Sequence, residues 1–453
     1  MQTHSLTSGP VLPVMLRFAV PMILGNLLQQ CYNVADTLIV GRFLGADALA
    51  AVGSAYTLMT FLTSILLGLC LGSGALFSAR FGQKDMPGLR RAAAASFGLI
   101  ALLTAVLTAG VYLLQKPIIG FLQAPSGIDV LMYDYLHVIY AGLAATFLYN
   151  YFASLLRSVG NSAVPLVFLA VSAVLNIVLD LVFVLVFHRG VAGAAEATVL
   201  SQYVSGAGLA VYTLVKYPAL CPRGRDWAVR PADLRVITSY SLLTCVQQSV
   251  MNLGILAVQG LVNSFGATVM AAFAAAVKID SFAYMPVQDF GNAFSFFIAQ
   301  NYGAGETQRI KKGLKGAVAV AGGFSLVVSF IVFVFAAPLM QLFVGAQETA
   351  VIAEGVRYLR IEGAFYCCIG CLFLLYGLYR ALGRPGMSVV LTVISLGTRV
   401  ALAYLLSATP LGVTGIWWSV PIGWVLADVA GLVCYACKKK KLLPPISPKN
   451  AGQ

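Results

Sequence analysis

Twelve apolar runs, each long enough to cross a lipid bilayer as a helix, fill this chain almost from end to end. A helix needs about 20 apolar residues to cross the hydrocarbon core, and its lipid-facing positions need no polar side chains. Of the 453 residues, 60% are hydrophobic and only 10% are charged, which is too little polar sequence to cover a soluble protein of this length. We therefore predict an all-α polytopic membrane protein. The predicted spans lie near 14–40, 48–79, 92–114, 131–156, 163–187, 191–215, 236–263, 269–299, 314–337, 352–379, 386–407 and 412–437.

Basic residues collect in alternate gaps between these runs. One set of gaps, taken with the entry of the first helix, holds 22 Lys and Arg, whereas the opposite set holds only Arg42, Lys116 and Arg189. Because basic residues accumulate on the cytoplasmic side of a membrane, both termini are predicted to be cytoplasmic. The same distribution accounts for the net charge of +13 without a nucleic-acid partner.

Segments of the first half recur in the same order in the second half. Each half holds six predicted spans, so the two halves have the same orientation in the membrane. Parallel repeats of this kind occur in transporters, which bind substrate between the halves. The matched segments are Leu44–Ala51 with Phe265–Ala272, Phe81–Gly82 with Tyr302–Gly303, Leu156–Gly160 with Tyr379–Gly383, and Gly190–Gly193 with Gly412–Gly415.

The repeat and the basic gaps together predict the domain limits. An N-terminal lobe spans 1–215 and a C-terminal lobe spans 236–437, as two pseudo-symmetric six-helix lobes. Between them, 216–235 is a basic, proline-containing cytoplasmic linker, and 438–453 is a basic cytoplasmic tail that includes Lys449.

Asp36 and Asp180 are carboxylates of the first half that fall inside predicted spans. Asp36 lies in the first helix and Asp180 in the fifth, where Asn176 precedes it by four residues and therefore shares its face. A carboxylate near the bilayer centre costs several kcal/mol, so such a residue is a functional candidate by default. Two other interpretations stay open: Asp36 is solvated at the outer interface, or Asn176 and Asp180 serve a structural hydrogen bond between helices. Asn150 of the fourth helix and Thr198 of the sixth complete the predicted cation-binding set.

Such a set offers oxygen ligands only. Two neighbouring buried carboxyls can bind a proton, and the same oxygens suit a small hard cation such as Na⁺. The coupling ion at Asp36 and Asp180 is therefore H⁺ or Na⁺, and no resident cofactor is predicted.

The second half lacks the same acids. When Arg157 is aligned with Arg380, Arg399 lies opposite Asn176 and Ala403 lies opposite Asp180. The predicted cation site is therefore confined to the N-terminal lobe, and the charges of the second half pair across helices or contact the substrate. The predicted substrate cavity is lined by Gln29, Tyr32, Asn33, Met251, Lys278, Asp280, Met285 and Arg399.

Three segments resemble the multidrug and toxic compound extrusion (MATE) transporters, and the resemblance covers nearly the whole chain. They are the first-helix pattern from Gln29 to Thr37 with Leu44–Gly53, the loop Ala299–Gly305, and Leu156–Gly160. The resemblance implies a V-shaped pair of six-helix lobes that alternates access. It also implies export of organic cations or other amphiphiles in exchange for entering protons or sodium ions.

Carboxylates in the N-terminal lobe resemble those of the DNA-damage-inducible branch of this family. In that branch the cation site consists of an Asp of helix one, an Asn and an Asp of helix five, an Asn of helix four and a Thr of helix six. The matching residues here are Asp36, Asn176, Asp180, Asn150 and Thr198. The sodium-type branch instead has carboxylates in helices seven and ten, where this chain has Gly254 and Gly370 nearby.

The predicted function is a cation-coupled multidrug antiporter that works as a monomer and is not an enzyme. Loading of Asp36 and Asp180 by the entering cation changes the packing of the first helix and lowers the affinity of the cavity for drug. No Walker-type nucleotide-binding motif is present, so ATP is not the direct energy source. One alternative is a lipid-linked oligosaccharide flippase, which would need cationic residues such as Lys278 and Arg399 in its cavity. Another is an aspartyl protease dyad, whose Gly-x-Gly-Asp signature is missing around both acids.

Overall fold

The computed structural model describes residues 5–121 and 127–443, and all regular structure in these ranges is helical. The predicted tail therefore lies outside the described residues from 444 onward, Lys449 included. The α-helices are α1 Val11–Phe43, α2 Ala46–Gly82, α3 Met86–Leu113, α4 Gln115–Phe121, α5 Ile128–Ile139, α6 Gly142–Ser158, α7 Ala163–Leu181, α8 Gly190–Lys216, α9 Pro231–Asn263, α10 Ala267–Gly303, α11 Thr307–Val334, α12 Ala336–Gln341, α13 Thr349–Gly363, α14 Tyr366–Ala381, α15 Pro385–Ser407 and α16 Val413–Leu442.

Within the described ranges, ten helices are each long and apolar enough to cross a membrane. Two further spans are bent pairs, in which α5 meets α6 at 44° and α13 meets α14 at 51°. Counting each pair as one span gives twelve, which confirms the number predicted from the sequence. Many large apolar side chains point outward, among them Leu102, Leu113, Leu326 and Phe330. Such exposure is stable for side chains that face lipid.

The internal repeat is visible in the helices themselves. Helices α1 and α9 each have 33 residues, α2 and α10 each have 37, and α3 and α11 each have 28. The helices α2 and α10 follow Gly45 and Gly266, whose φ angles are 92° and 97° with ψ near 180°. This backbone region is open essentially to glycine alone. The aligned glycines therefore set the same sharp entry into corresponding helices of the two halves.

The chain forms two compact units. The first holds Val20–Cys245, and the second holds Leu6–Ala19 together with the chain from Val246 onward. Helices α1 and α9 thus contribute residues to both units. The lobes 1–215 and 236–437 and the linker 216–235 stay a prediction, and within that linker α9 already begins at Pro231, a residue type favoured at the first position of a helix.

Close helix packing in the first unit depends on two glycines of α2. A Cβ atom on Gly68 would lie 2.6 Å from the Cα of Cys245 on α9, and one on Gly72 would overlap the carbonyl oxygen of Tyr240. Small residues four apart allow this approach of two membrane helices. Beside the contact, the hydroxyl oxygens of Ser73 and Ser241 are 2.8 Å apart. The first unit therefore includes α9 up to Cys245 through tight packing.

The chain before α1 is fastened to the second unit by polar contacts. The backbone N–H of Leu6 donates to Oε1 of Gln300 at 3.0 Å, and Nδ2 of Asn301 donates to the carbonyl oxygen of Leu6 at 3.2 Å. Arg309 donates from Nη1 to the carbonyl oxygen of Gly9 at 2.7 Å. Gln300 and Asn301 belong to the loop motif noted in the sequence, so this motif has a structural task in anchoring the N-terminal segment.

Candidate functional site

Asp180 lies at the end of α7, immediately before the helix widens into a π-helical turn over Val182–Val186. Its side chain is fully buried. Neither carboxyl oxygen receives a hydrogen bond from the part of the chain that the structure describes. A buried carboxylate without donors is costly in an apolar environment. The geometry therefore leaves Asp180 in need of a proton, a cation or water.

Asn176 lies one helical turn before Asp180 and links α7 to α8. Its Nδ2 donates to the hydroxyl of Thr198 at 3.2 Å. A second bond runs from the hydroxyl of Ser172 to the carbonyl oxygen of Ser201 at 2.9 Å, so the two helices are fixed together along this face. The amide bond orients Asn176 and leaves its Oδ1 buried with no donor among the described residues. The structure therefore brings Asn176 and Thr198 together, with Asp180 one turn further along α7.

Asp36 brings a second carboxyl to this place from α1. It lies within electrostatic range of Asp180. Its Oδ1 is buried and likewise receives no hydrogen bond from the described residues. Tyr32 lies one turn earlier on α1 and interacts with Asp36. Asp36 is half-buried, in contrast to the fully buried Asp180. The more accessible acid and the enclosed acid thus lie within electrostatic range of each other in the first unit.

Tyr135 is a member of this cluster that the sequence reasoning missed. It is buried on α5 and lies within electrostatic range of Asp36, Asp180 and Tyr32. A signal for it was present in the repeat, because the alignment of Arg157 with Arg380 also aligns Tyr135 with Tyr358. Each tyrosine lies on the first helix of a bent pair and faces acids of its own unit.

The side chain of Asn150 forms its hydrogen bond within its own helix. Its Nδ2 donates to the carbonyl oxygen of Thr146, one turn earlier on α6, at 2.9 Å. The amide nitrogen is therefore used within its own helix, and a ligand role of Asn150 stays a prediction for its oxygen alone. Glu196 pairs with Arg189 at 3.0 Å near the start of α8. This ion pair satisfies Glu196 separately from the two acids.

The predicted cavity residues of the first unit differ in exposure. Gln29 is exposed, and its side chain hydrogen-bonds Tyr32. Asn33 is half-buried and donates to Oε1 of Gln30 at 3.4 Å. These residues line one side of α1 close to Asp36, so their proposed contact with a substrate is compatible with their accessibility.

The oxygen atoms that could act as ligands in the first unit suit a proton or Na⁺. Four buried oxygen atoms without a donor among the described residues come from three side chains: Oδ1 of Asp36, Oδ1 of Asn176, and both carboxyl oxygens of Asp180. The described residues contain no ion pair to either acid and no cluster of three or more His, Cys, Asp or Glu side chains that would hold a metal ion. Carboxylate and amide oxygens are hard ligands.

The second unit has a polar cavity of about 140 Å³ of its own. Met251, Asp280 and Arg399, three of the predicted cavity residues, line it together with Glu362. Lys278 and Met285 do not line it, and Lys278 is exposed. Lys278 and Asp280 are only two residues apart on α10, and residues at this spacing do not share a helix face.

The two glycines at the expected acid positions of the sodium-type branch are packed closely in the second unit. A Cβ on Gly254 would lie 2.5 Å from Cδ2 of Leu396, and a Cβ on Gly370 would lie 2.9 Å from Oγ of Ser325. A carboxylate at either position would therefore require its neighbours to move. The acids that line the cavity of the second unit instead come from α10 and α13.

Known proteins of one family are similar to this chain over nearly its whole length. The sequence model of the MatE family matches residues 21–182 and 244–405. The probable multidrug resistance protein YpnP of Bacillus subtilis (strain 168) is 30% identical over 453 residues, which are 99% of this chain and 100% of that protein. The probable multidrug resistance protein YoeA of the same strain is 28% identical over 94% of each chain.

A solved structure of an outward-facing multidrug resistance MATE family transporter of the MOP superfamily superposes with a TM-score of 0.92. It covers 98% of this chain and 99% of its own at 24% identity, a likeness that shows the fold.

Proposed function

This chain belongs to the MATE family of multi-pass membrane transporters, and from that membership we propose that it is a cation-coupled antiporter that exports organic cations and amphiphiles. The family consists of transporters of small molecules, so the chain is not an enzyme and the protease alternative is set aside. The observation that carries the coupling proposal is the proximity of Asp36 and Asp180, with three carboxyl oxygens that receive no hydrogen bond from the described residues.

The proposed coupling starts from electrostatic repulsion. Asp36 and Asp180 repel each other when both are ionised, and no basic side chain of the described residues forms an ion pair with either. A proton or Na⁺ that enters from outside neutralises the pair and allows α1 to pack more closely against α7. The membrane potential supplies about 2.3 kcal/mol per charge for each 100 mV. That energy is comparable to the cost of one unpaired buried carboxylate, so binding of the ion can shift the packing of α1.

A proline inside α1 marks the point at which this helix can bend when it repacks. Pro21 lies inside this helix and removes one backbone hydrogen bond, which weakens the helix at that point. Asp36 lies four turns further along the same helix. Neutralisation of Asp36 therefore acts on the part of α1 that follows Pro21, and this movement lowers the affinity for the drug.

The proposed oligomeric state, membrane location and orientation are those predicted from the sequence. The chain acts as a monomer in a bacterial plasma membrane, with both termini cytoplasmic, and uses no nucleic acid. The basic-residue asymmetry supports this orientation. The flippase alternative would need cationic residues such as Lys278 and Arg399 in the cavity, and of these two only Arg399 lines the cavity of the second unit. No observation favours that function.

Gradient-driven efflux tests the proposal. Purified protein is reconstituted in liposomes with a fluorescent cationic dye, and efflux is followed under a proton gradient or a sodium gradient. We expect Asp36→Asn and Asp180→Asn each to slow the gradient-driven component at least tenfold. Asp47→Asn, which changes an exposed acid at the start of α2, is the matched control and should behave as wild type. If neither site variant slows efflux while the wild type transports, the site assignment is wrong.

A further inference from the structure

The cavity of the second unit carries opposite charges on its walls. Asp280 of α10 and Glu362 of α13 supply carboxyl groups, and Arg399 of α15 supplies a guanidinium group. All three side chains are at least nine-tenths buried, with exposed fractions of 5%, 1% and 9%. Charged side chains so deep in a membrane protein face a partner or a functional cavity.

The two carboxyl groups approach each other in the wall of the cavity. Asp280 and Glu362 lie within hydrogen-bonding reach of each other. An ionised carboxyl only accepts hydrogen bonds, so this contact is favourable when one of the two carries a proton. The hydroxyl of Tyr358 donates to Oε2 of Glu362 at 2.9 Å and fixes its orientation. With one shared proton, the pair is an acceptor with a charge of −1.

Arg399 does not close an ion pair with these acids. Its guanidinium interacts electrostatically with both, yet the described residues contain no contact within 4.0 Å between Arg399 and either carboxyl group. Its Nε is buried and has no acceptor among the described residues. Oδ1 of Asp280 and Oε1 of Glu362 are buried and receive no hydrogen bond from those residues. Three residues that line the cavity thus carry one unused donor and two unused acceptors among the described residues.

Aromatic side chains complete the wall. Tyr284, Phe373, Tyr376 and Trp424 line the cavity along with Met251. Aromatic faces attract ammonium groups, most strongly those that carry alkyl substituents and are easily desolvated. The size of the cavity, about 140 Å³, is below the roughly 300 to 1,000 Å³ of sites for drug-sized ligands. The cavity therefore fits a small molecule or the head group of a larger one.

We propose that this cavity binds a zwitterionic head group, with its ammonium at Asp280 and Glu362 and its carboxylate at Arg399. The walls carry −1 and +1, so a zwitterion leaves the cavity neutral and satisfies the buried groups on both sides. A simple cation leaves the guanidinium unpaired, and a simple anion leaves the carboxyl pair unpaired, which is costly at low dielectric. The role of this site in export rests on the proposed function; the binding itself does not.

Three small probes of nearly equal size and shape separate these cases. Glycine betaine is a zwitterion with a trimethylammonium group and a carboxylate. Choline keeps the trimethylammonium group without the carboxylate, and 3,3-dimethylbutanoate keeps the carboxylate with a neutral tert-butyl group. Binding of each to the purified full-length protein is measured by calorimetry and by thermal stabilisation. We expect glycine betaine to bind at least tenfold more tightly than either of the others.

Substitution of Arg399 tests the assignment of the anionic end. Arg399→Gln should weaken glycine betaine binding at least tenfold and leave choline binding equal or stronger, while Arg399→Lys should retain the preference for the zwitterion. Arg360→Gln removes an exposed arginine of α13 and is the matched control. A wild type that binds none of the probes, or binds all three equally, overturns the proposal. So does an Arg399→Gln variant that folds and keeps the preference for glycine betaine.

The outcome is separable from that of the efflux test. Zwitterion binding in the second unit should persist in Asp36→Asn, because this substitution lies in the first unit. Loss of zwitterion selectivity with normal gradient-driven efflux would reject the cavity assignment alone. Normal selectivity with no effect of Asp36→Asn on efflux would reject the coupling site alone.

Discussion

Asn176 donates a hydrogen bond of 3.2 Å to the hydroxyl of Thr198 and keeps its own carbonyl oxygen buried, one helical turn from Asp180. The bond determines which end of the amide faces the acids, because the nitrogen is engaged and the oxygen is not. Thr198 therefore acts on the proposed cation through the orientation of Asn176. This relationship leads to the first prediction.

Thr198→Val should weaken the binding of the coupling cation. The substitution keeps the shape of the side chain but removes the acceptor for Asn176, whose amide is then free to turn. We expect the cation concentration for half-maximal dye efflux to rise about tenfold, which corresponds to roughly 1.4 kcal/mol and to the loss of one buried hydrogen bond. Thr198→Ser, which restores the hydroxyl, should return the wild-type value. An unchanged cation dependence in Thr198→Val would exclude this orienting role.

Tyr135→Phe should alter the cation dependence of transport without unfolding the protein. The hydroxyl is the only group removed, and it lies within electrostatic range of both acids. We expect a shift of about two- to tenfold in the half-maximal cation concentration, in keeping with one hydrogen bond of roughly 0.5–1.5 kcal/mol. Tyr112→Phe is the matched control, since its hydroxyl donates to the carbonyl oxygen of His137 at 2.9 Å. Equal effects of the two substitutions would argue against a place for Tyr135 in the site.

Gly72→Val should destabilise the first unit. Its Cβ would overlap the carbonyl oxygen of Tyr240, a backbone atom that cannot rotate away. Overpacking of this kind costs about 1–3 kcal/mol or more, so we expect a clear fall in the melting temperature of the detergent-purified protein. Gly98→Ala is the control, because nothing lies within 4 Å of a Cβ at that position on α3. A melting temperature of Gly72→Val equal to that of wild type would contradict the packing.

Asp226 should make a pH-dependent contribution to stability. Burial alone would raise its pKa, but the backbone N–H of Arg223, the Nε of Arg90 at 2.8 Å and the positive charges of Arg90 and Arg91 outweigh burial. They hold the pKa of this carboxyl below its ordinary value of 3.8. The contribution is complete above the unfolded value and is lost as the pH falls through the lower folded value.

Melting of wild type and Asp226→Asn across pH checks this sign. We expect wild type to melt higher at pH 7 and the difference to vanish once the pH is well below 3.8. Asp134→Asn, at an exposed position of α5, is the control for the removal of one negative charge. A difference that grows as the pH falls would have the wrong sign for this ion pair.

The features of the fold and the site that depend on short-range sequence patterns were predicted from the sequence. The spacing of Asn176 and Asp180 on one helix face, the twelve spans and the repeated glycines before α2 and α10 all follow from local periodicity and backbone chemistry. The role of Tyr135 depends on the break between α5 and α6, where the sequence has no proline to indicate it. The side-chain nitrogen of Asn150 hydrogen-bonds a carbonyl oxygen of its own helix. Neither effect leaves a pattern in a continuous apolar run.

The cavity of the second unit was predicted only in part for a related reason. Asp280 and Glu362 come from α10 and α13, which two other helices separate in the chain, and their contact is a product of helix packing. The sequence showed these charges and predicted that they pair across helices or contact the substrate, but it did not show which of them meet. The structure places its acid pair on α10 and α13.

The central claim is that the coupling cation binds in the first unit between Asp36 and Asp180. Its most direct test is equilibrium binding to the purified protein, as sodium-dependent thermal stabilisation and as proton uptake on acidification from pH 9 to pH 6. We predict that wild type and Asp280→Asn show at least one of these signals and that the double variant Asp36→Asn, Asp180→Asn loses it. A folded double variant that binds sodium ions and takes up protons as wild type does would contradict the claim.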